Sequence, residues 1–130
     1  MAKPGKVRVL LIDDETDFSF FVRANLEIQG SFEVHIADNP AEGLKLARTV
    51  APDIILLGII MPKMDGLELL KCLKDNPKTM AIPVLMLTAK NDAESKRQAA
   101  RLYNEDFIEK PVELEALQAR IEKALQKLGR

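Results

Sequence analysis

The sequence predicts a doubly wound α/β domain, a five-stranded parallel sheet with helices on both faces. Short apolar runs rich in Val, Ile and Leu alternate with longer segments of helical spacing, the arrangement of parallel strands joined by crossover helices. Two of these runs, Ile54-Ile55-Leu56-Leu57 and Val84-Leu85-Met86-Leu87, are apolar at every position, as strands covered on both faces must be. At 130 residues, 47% of them hydrophobic, the chain is sized for one core.

The strands are expected at Val7 to Ile12, Phe32 to Ala37, Asp53 to Leu57, Pro83 to Thr88 and Asp106 to Glu109, with the wholly apolar ones central. Asp14 or Thr16 can cap a first helix that runs to about Gln29 and stops at Gly30. Asn39, with Pro40 in the first turn, opens a second helix to about Val50. A third spans Gly66 to Lys74 and stops before Asn76-Pro77, a fourth spans Asp92 to Leu102, and the last runs from Glu113 to Leu128. In the last, Leu114, Leu117, Ile121, Leu125 and Leu128 recur at steps of three and four, an apolar stripe read as core packing, with a coiled-coil or partner role as the lesser alternative. Phe20, out of step with Phe18, Phe21 and Val22, is expected to be partly exposed and is given no role. The chain has no internal repeat, low-complexity tract or long linker, so residues 1–130 read as one domain with a flexible segment at 1–5.

A formal charge of −1 argues against the broad positive field that a nucleic-acid backbone requires. No run approaches the ~20 apolar residues that span a bilayer, and the N-terminal run is soon stopped by three acids. The single Cys72 cannot form an internal disulfide, and its surroundings suit a buried or half-buried thiol. A reducing, cytoplasmic location is the natural expectation. His35, on the second strand, has no second histidine for a metal pair and is read as structural or exposed.

In a doubly wound sheet, ligands sit beyond the carboxyl ends of the strands. Those ends carry Asp13, Asp14 and Glu15 after the first strand, Gly58 to Pro62 after the third, Thr88 and Ala89 after the fourth, and Lys110 and Pro111 after the fifth. Neighbouring carboxylates with an ammonium and a hydroxyl opposite suit a hard divalent cation and a phosphoryl group. The acidic pair could alternatively be helix N-terminal acids, welcomed by the dipole and the free N–H groups.

The pair in Leu11-Ile12-Asp13-Asp14-Glu15, the run from Pro52 through Met61-Pro62-Lys63-Met64-Asp65-Gly66, the Leu87-Thr88-Ala89 strand end and Phe107-Ile108-Glu109-Lys110-Pro111 cover nearly the whole chain in order. Together they resemble the receiver domains of bacterial two-component response regulators. The resemblance implies the flavodoxin-like (βα)5 receiver fold and a place in phosphorelay signalling. It implies that Asp13, Asp14 and the backbone carbonyl of Ile60 hold Mg2+, that Thr88 answers the phosphoryl group, and that Phe107 turns inward on activation. It further implies that Lys110 pairs with the site and that the Lys110-Pro111 bond is cis.

The central residue does not carry over. Where the family has a phosphate-accepting aspartate, this chain has Gly58, which offers no side-chain atom for a covalent bond. Magnesium would lose an anionic ligand, leaving a weakened site. The metal-free pocket should gain, because like charges about 4 Å apart repel by roughly 4 kcal/mol at an effective dielectric of about 20. A second departure is Tyr103-Asn104-Glu105-Asp106, where the family commonly has Gly-Ala before two acids. Asn104 would take any left-handed turn there, and Tyr103, Asn104 and Glu105 join a face that contacts partners in the family.

Flavin and nucleotide sites on this topology need glycine-rich or hydroxyl-rich phosphate loops, and the first loop here is acidic. A magnesium-dependent phosphatase needs a second carboxylate two residues beyond its nucleophile, whereas these acids are adjacent. The chain is therefore read as a non-enzyme. Two readings remain. One is a pseudo-receiver acting through a sensor kinase, an effector domain or a dimer mate. The other is a changed copy of an ordinary phosphate-accepting receiver, in which an aspartate was lost at position 58.

Overall fold

The computed structural model describes residues 5–58, 66–88 and 106–127. Five strands, β1 (Val7–Ile12), β2 (Phe32–Ala37), β3 (Ile54–Gly58), β4 (Val84–Thr88) and β5 (Asp106–Glu109), form one sheet in the order β2-β1-β3-β4-β5. Every pairing is parallel. The described helices are α1 (Thr16–Glu27), α2 (Pro40–Thr49), α3 (Gly66–Asp75) and α4 (Leu114–Gln126). The doubly wound sheet is as expected, with the two wholly apolar strands inside it and fully buried. The fourth helix expected over Asp92 to Leu102 lies outside the described residues, as does nearly all of the N-terminal segment 1–5.

Strand alternation sends successive side chains to opposite faces, and each face meets its own helices. Val9, Leu11, Ile54, Leu56, Leu85 and Leu87 pack with Val22 and Leu26 of α1 and with Leu117, Ile121 and Leu125 of α4. Leu10, Ile12, Ile55, Leu57 and Met86 pack on the other face with Ala47 of α2 and Leu69, Leu70 and Leu73 of α3. The register sets the functional end of the sheet: Ile12 is level with Leu57, Gly58 with Leu87, and Thr88 with Glu109. Asp13, Gly58, Thr88 and Lys110 therefore end four adjacent strands.

Several boundaries differ from the expected ones for identifiable reasons. Neither Asp14 nor Thr16 caps α1. Glu15 takes that position without a side-chain cap, and its own N–H donates to Asp13 Oδ1 at 2.9 Å. Strand β3 starts at Ile54, one residue later than expected, because Asp53 turns its carboxylate to accept the N–H of Arg8 at 2.8 Å. Asn39 caps α2 as expected, its Oδ1 accepting the N–H of Glu42 at 2.9 Å ahead of Pro40. Cys72 is exposed, since the buried stripe of α3 runs through Leu69, Leu70 and Leu73 and leaves position 72 on the solvent side. Phe20 is 52% exposed as anticipated, but Phe21 is equally so at 53%. His35 is half-buried, with its Nε2 2.8 Å from Glu33 Oε2. Among the described residues no helix is long and apolar enough to cross a membrane.

The stripe on α4 predicts a measurable cost. Ile121 is fully buried between the helix and the sheet, so Ile121→Ala should lower unfolding free energy by about 2–5 kcal/mol in urea titration, through lost contacts and a residual cavity.

A second test concerns Asp106, whose Oδ2 accepts a hydrogen bond from Arg120 Nε at 3.1 Å. Burial pushes its carboxyl up, but the Arg120 guanidinium and the Phe107 N–H together outweigh that and hold it below the usual carboxylate range. A folded-state value below the unfolded one gives stability that is present above the unfolded range and is lost as pH falls through the folded value. Arg120→Gln should thus cost about 0.2–1 kcal/mol at neutral pH, with the difference from the parent shrinking in acid when both are unfolded across a pH series.

Candidate functional site

The strand order reverses between β1 and β3, since the chain winds from β1 outward to β2 and then returns to the other side. Crevices form at such switch points beyond the carboxyl ends of the strands, and here the two tips are Asp13 and Gly58. Asp13 is only 1% exposed, and its N–H is held by the carbonyl of Ala37 at 3.0 Å. Its carboxylate is consumed on both sides: Oδ1 takes the Glu15 N–H, and Oδ2 accepts from Lys110 Nζ at 2.7 Å.

Lys110 reaches this position from the end of β5, where its N–H donates to the carbonyl of Thr88 at 2.8 Å and its bond to Pro111 is cis. The ammonium also bonds the carboxylate of Glu15 and lies 4.5 Å from the centroid of the Phe18 ring. Burial works to lower the affinity of this amine for its proton, but the hydrogen bonds and charges of Asp13 and Glu15 outweigh it and raise the pKa above the ordinary lysine value. Thr88 is fully buried, with its hydroxyl 3.4 Å from the carbonyl of Ile108. Phe107 is half-buried and packs on the α2 and α3 face of the sheet.

Position 58 has little room. A Cβ on Gly58 would lie 2.7 Å from Asp13 Oδ2 and 3.0 Å from Asp13 Cγ, so the carboxylate already fills the volume a side chain would take. A side chain at this position requires the Asp13 carboxylate to shift.

Of the site residues expected from the sequence, Asp13, Gly58, Thr88 and Lys110 stand at one end of the sheet, and Asp14 follows Asp13 with its side chain exposed. Ile60, Tyr103, Asn104 and Glu105 lie outside the described residues. The sequence reading assigned no role to Glu15 or Phe18, which complete the surroundings of the Lys110 ammonium. Their signal was an acid and an aromatic three residues apart at the start of a helix, spaced to share one face.

Magnesium prefers near-octahedral oxygen coordination, and the side chains as placed do not fit it. Both Asp13 oxygens are engaged, Glu15 is on the ammonium and Gly58 supplies no donor. Among the described residues no group of three or more His, Cys, Asp or Glu side chains is arranged to hold a metal ion.

The class of molecule this geometry defines is matched by comparison with known proteins. The model of the response regulator receiver domain matches residues 9–122, and the chain belongs to that family. It is 36% identical over 123 residues to the DNA-binding dual master transcriptional regulator RpaA of Synechocystis sp., covering 95% of this chain and 51% of that protein. It is 34% identical over 110 residues to the protein PilH of Pseudomonas aeruginosa, covering 85% of this chain and 90% of PilH. The chain thus spans about half the length of RpaA and nearly all of PilH. A solved structure of a putative response regulator from Chloroflexus aurantiacus superposes with a TM-score of 0.84 at 29% identity, covering 93% of this chain and 98% of that one.

The contact between positions 13 and 58 is testable. Gly58→Ala should destabilise the domain by about 1–3 kcal/mol in chemical denaturation, the range expected for a methyl forced into a filled site. In an Asp13→Ala background the same substitution should cost much less, because the atoms it collides with are gone.

Proposed function

We propose that this chain is a receiver-like module of two-component phosphorelay signalling that accepts no phosphoryl group at position 58 and works through protein contacts. One observation carries the reading: Gly58 ends the central strand β3 beside the Asp13 carboxylate, where the family places its acceptor aspartate, and it has no side chain. Acyl-phosphate formation needs a carboxylate oxygen to attack phosphorus while the donor's leaving group departs, and glycine lacks that oxygen.

The other positions take the roles their family counterparts have. Thr88, at the end of β4, is the hydroxyl that would answer a phosphoryl group, and Phe107 is the aromatic that reports the state of the site. Lys110 is the cation of the pocket. Magnesium, which neutralises acids and phosphoryl oxygens in receivers, would have only Asp13, Asp14 and the Ile60 carbonyl here, a weakened site. The domain is not itself an enzyme. Its partners are a sensor kinase, an effector domain or a dimer mate in the cytoplasm, with Tyr103, Asn104 and Glu105 on the contacting face.

A second reading is supported by the intactness of the rest of the site: Asp13, Thr88 and Lys110 end their strands in register around position 58. On that reading the chain is a changed copy of an ordinary receiver, and restoring the acid restores the chemistry.

Incubation with a small phosphodonor such as acetyl phosphate, read by intact-protein mass spectrometry, should add no phosphoryl mass to the chain as it stands. Gly58→Asp should become labelled in the presence of magnesium and should melt at a lower temperature than the parent in its absence. Labelling of the parent on any acidic side chain would overturn the reading.

A further inference from the structure

The disagreement between this pocket and a divalent cation points to a different occupant. We propose that the pocket carries its own cation: the Lys110 ammonium holds the place of a metal between the acids of the first loop, and a divalent cation enters only by displacing it. The inference rests on the reading of this crevice as a receiver's acidic site.

The ammonium has three neighbours. The buried Asp13 carboxylate is 2.7 Å away, the Glu15 carboxylate bonds it from the first residue before α1, and the Phe18 ring lies against it at 4.5 Å from the centroid. Two carboxylates and an aromatic face make a suitable cage for an ammonium, which has three donors and is drawn to the ring quadrupole. A divalent cation would find one wall apolar and both oxygens of the buried Asp13 already engaged. The cage also exploits the bare backbone at 58. Asp13 occupies volume that any side chain there would need, its Oδ2 lying 2.7 Å from where a Cβ would stand. Glycine thus removes a ligand for a metal and opens the position from which Asp13 meets the lysine.

The pairing joins the loop between β1 and α1 to the end of β5 through residues 97 and 95 positions apart. An internal cation needs no supply from solution, so this end of the sheet should be ordered at any metal concentration. Binding of a divalent ion would break the contact of Lys110 with both acids and with Phe18, and would have to do so against a unit charge already in place.

The test uses the full chain, with Mn2+ binding followed by the loss of its free-ion paramagnetic signal and melting followed in EDTA and in excess Mg2+. The parent should bind Mn2+ weakly and melt at the same temperature in both buffers. Lys110→Met should bind Mn2+ roughly tenfold tighter or more, because the competing ammonium is gone. It should also melt lower than the parent in EDTA and recover in Mg2+. Phe18→Leu, which keeps every charge and loosens the cage, should fall between the two in Mn2+ affinity and remains informative if Lys110→Met fails to fold. A parent whose melting temperature rises with Mg2+ as much as that of Lys110→Met would overturn the proposal, as would variants that bind Mn2+ no better than the parent. Neither result bears on phosphoryl labelling, so the proposed function and this inference can fail separately.

Discussion

A carboxylate buried at the tip of a strand must be answered by a positive charge or by several donors, and in this domain Asp13 is answered by Lys110. The rest of the site follows from that requirement. The lysine is available because β5 lies parallel to β4 and ends level with Thr88, and the acid is available because β1 ends level with β3. Sheet register therefore does the work of bringing together side chains that sit at opposite ends of the chain. Glu15 and Phe18 then hold the far side of the ammonium from the start of α1, so one cation ties the first helix to the last strand.

Buried ion pairs gain little net stability, because desolvation of both charges offsets much of their attraction. Their effect lies in how costly they are to break, since separating the partners leaves a charge stranded in a dry crevice. The pair at the head of this sheet is thus a constraint on which arrangements the loops can adopt. In this domain that constraint runs from Lys110 to Asp13 and Glu15, so any rearrangement of the lysine has to give up both acids.

Much of the fold could be read from local pattern. Strands β1, β2 and β5 lie where the apolar runs placed them, and the Asn39-Pro40 start of α2 follows from capping chemistry that involves only neighbours. Local chemistry was less informative where a residue chose a distant or unexpected partner. Asp53 left β3 to bind the backbone of Arg8, and the first helix lost its expected cap because the Asp13 side chain bonded Glu15 instead. Cys72 and Phe21 were misplaced toward the interior because hydrophobicity alone does not say which side of a helix meets the sheet.

The candidate site was legible as a set of residues and not as a set of contacts. Order along the chain and strand-end placement were enough to gather Asp13, Gly58, Thr88 and Lys110, since a parallel sheet carries every strand end to the same edge. Repulsion among carboxylates was the expected feature of the metal-free pocket, and the loss of one acid was expected to relieve it. The structure adds a contact that charge counting does not contain: the Asp13 carboxylate lies where a side chain at position 58 would begin. A deletion of side-chain atoms in a packed interior seldom leaves a simple vacancy, because surrounding groups move to recover contacts and charge partners. Here the group that borders position 58 is also the partner of the Lys110 ammonium, so the residue at 58 and the position of Lys110 bear on one another through Asp13.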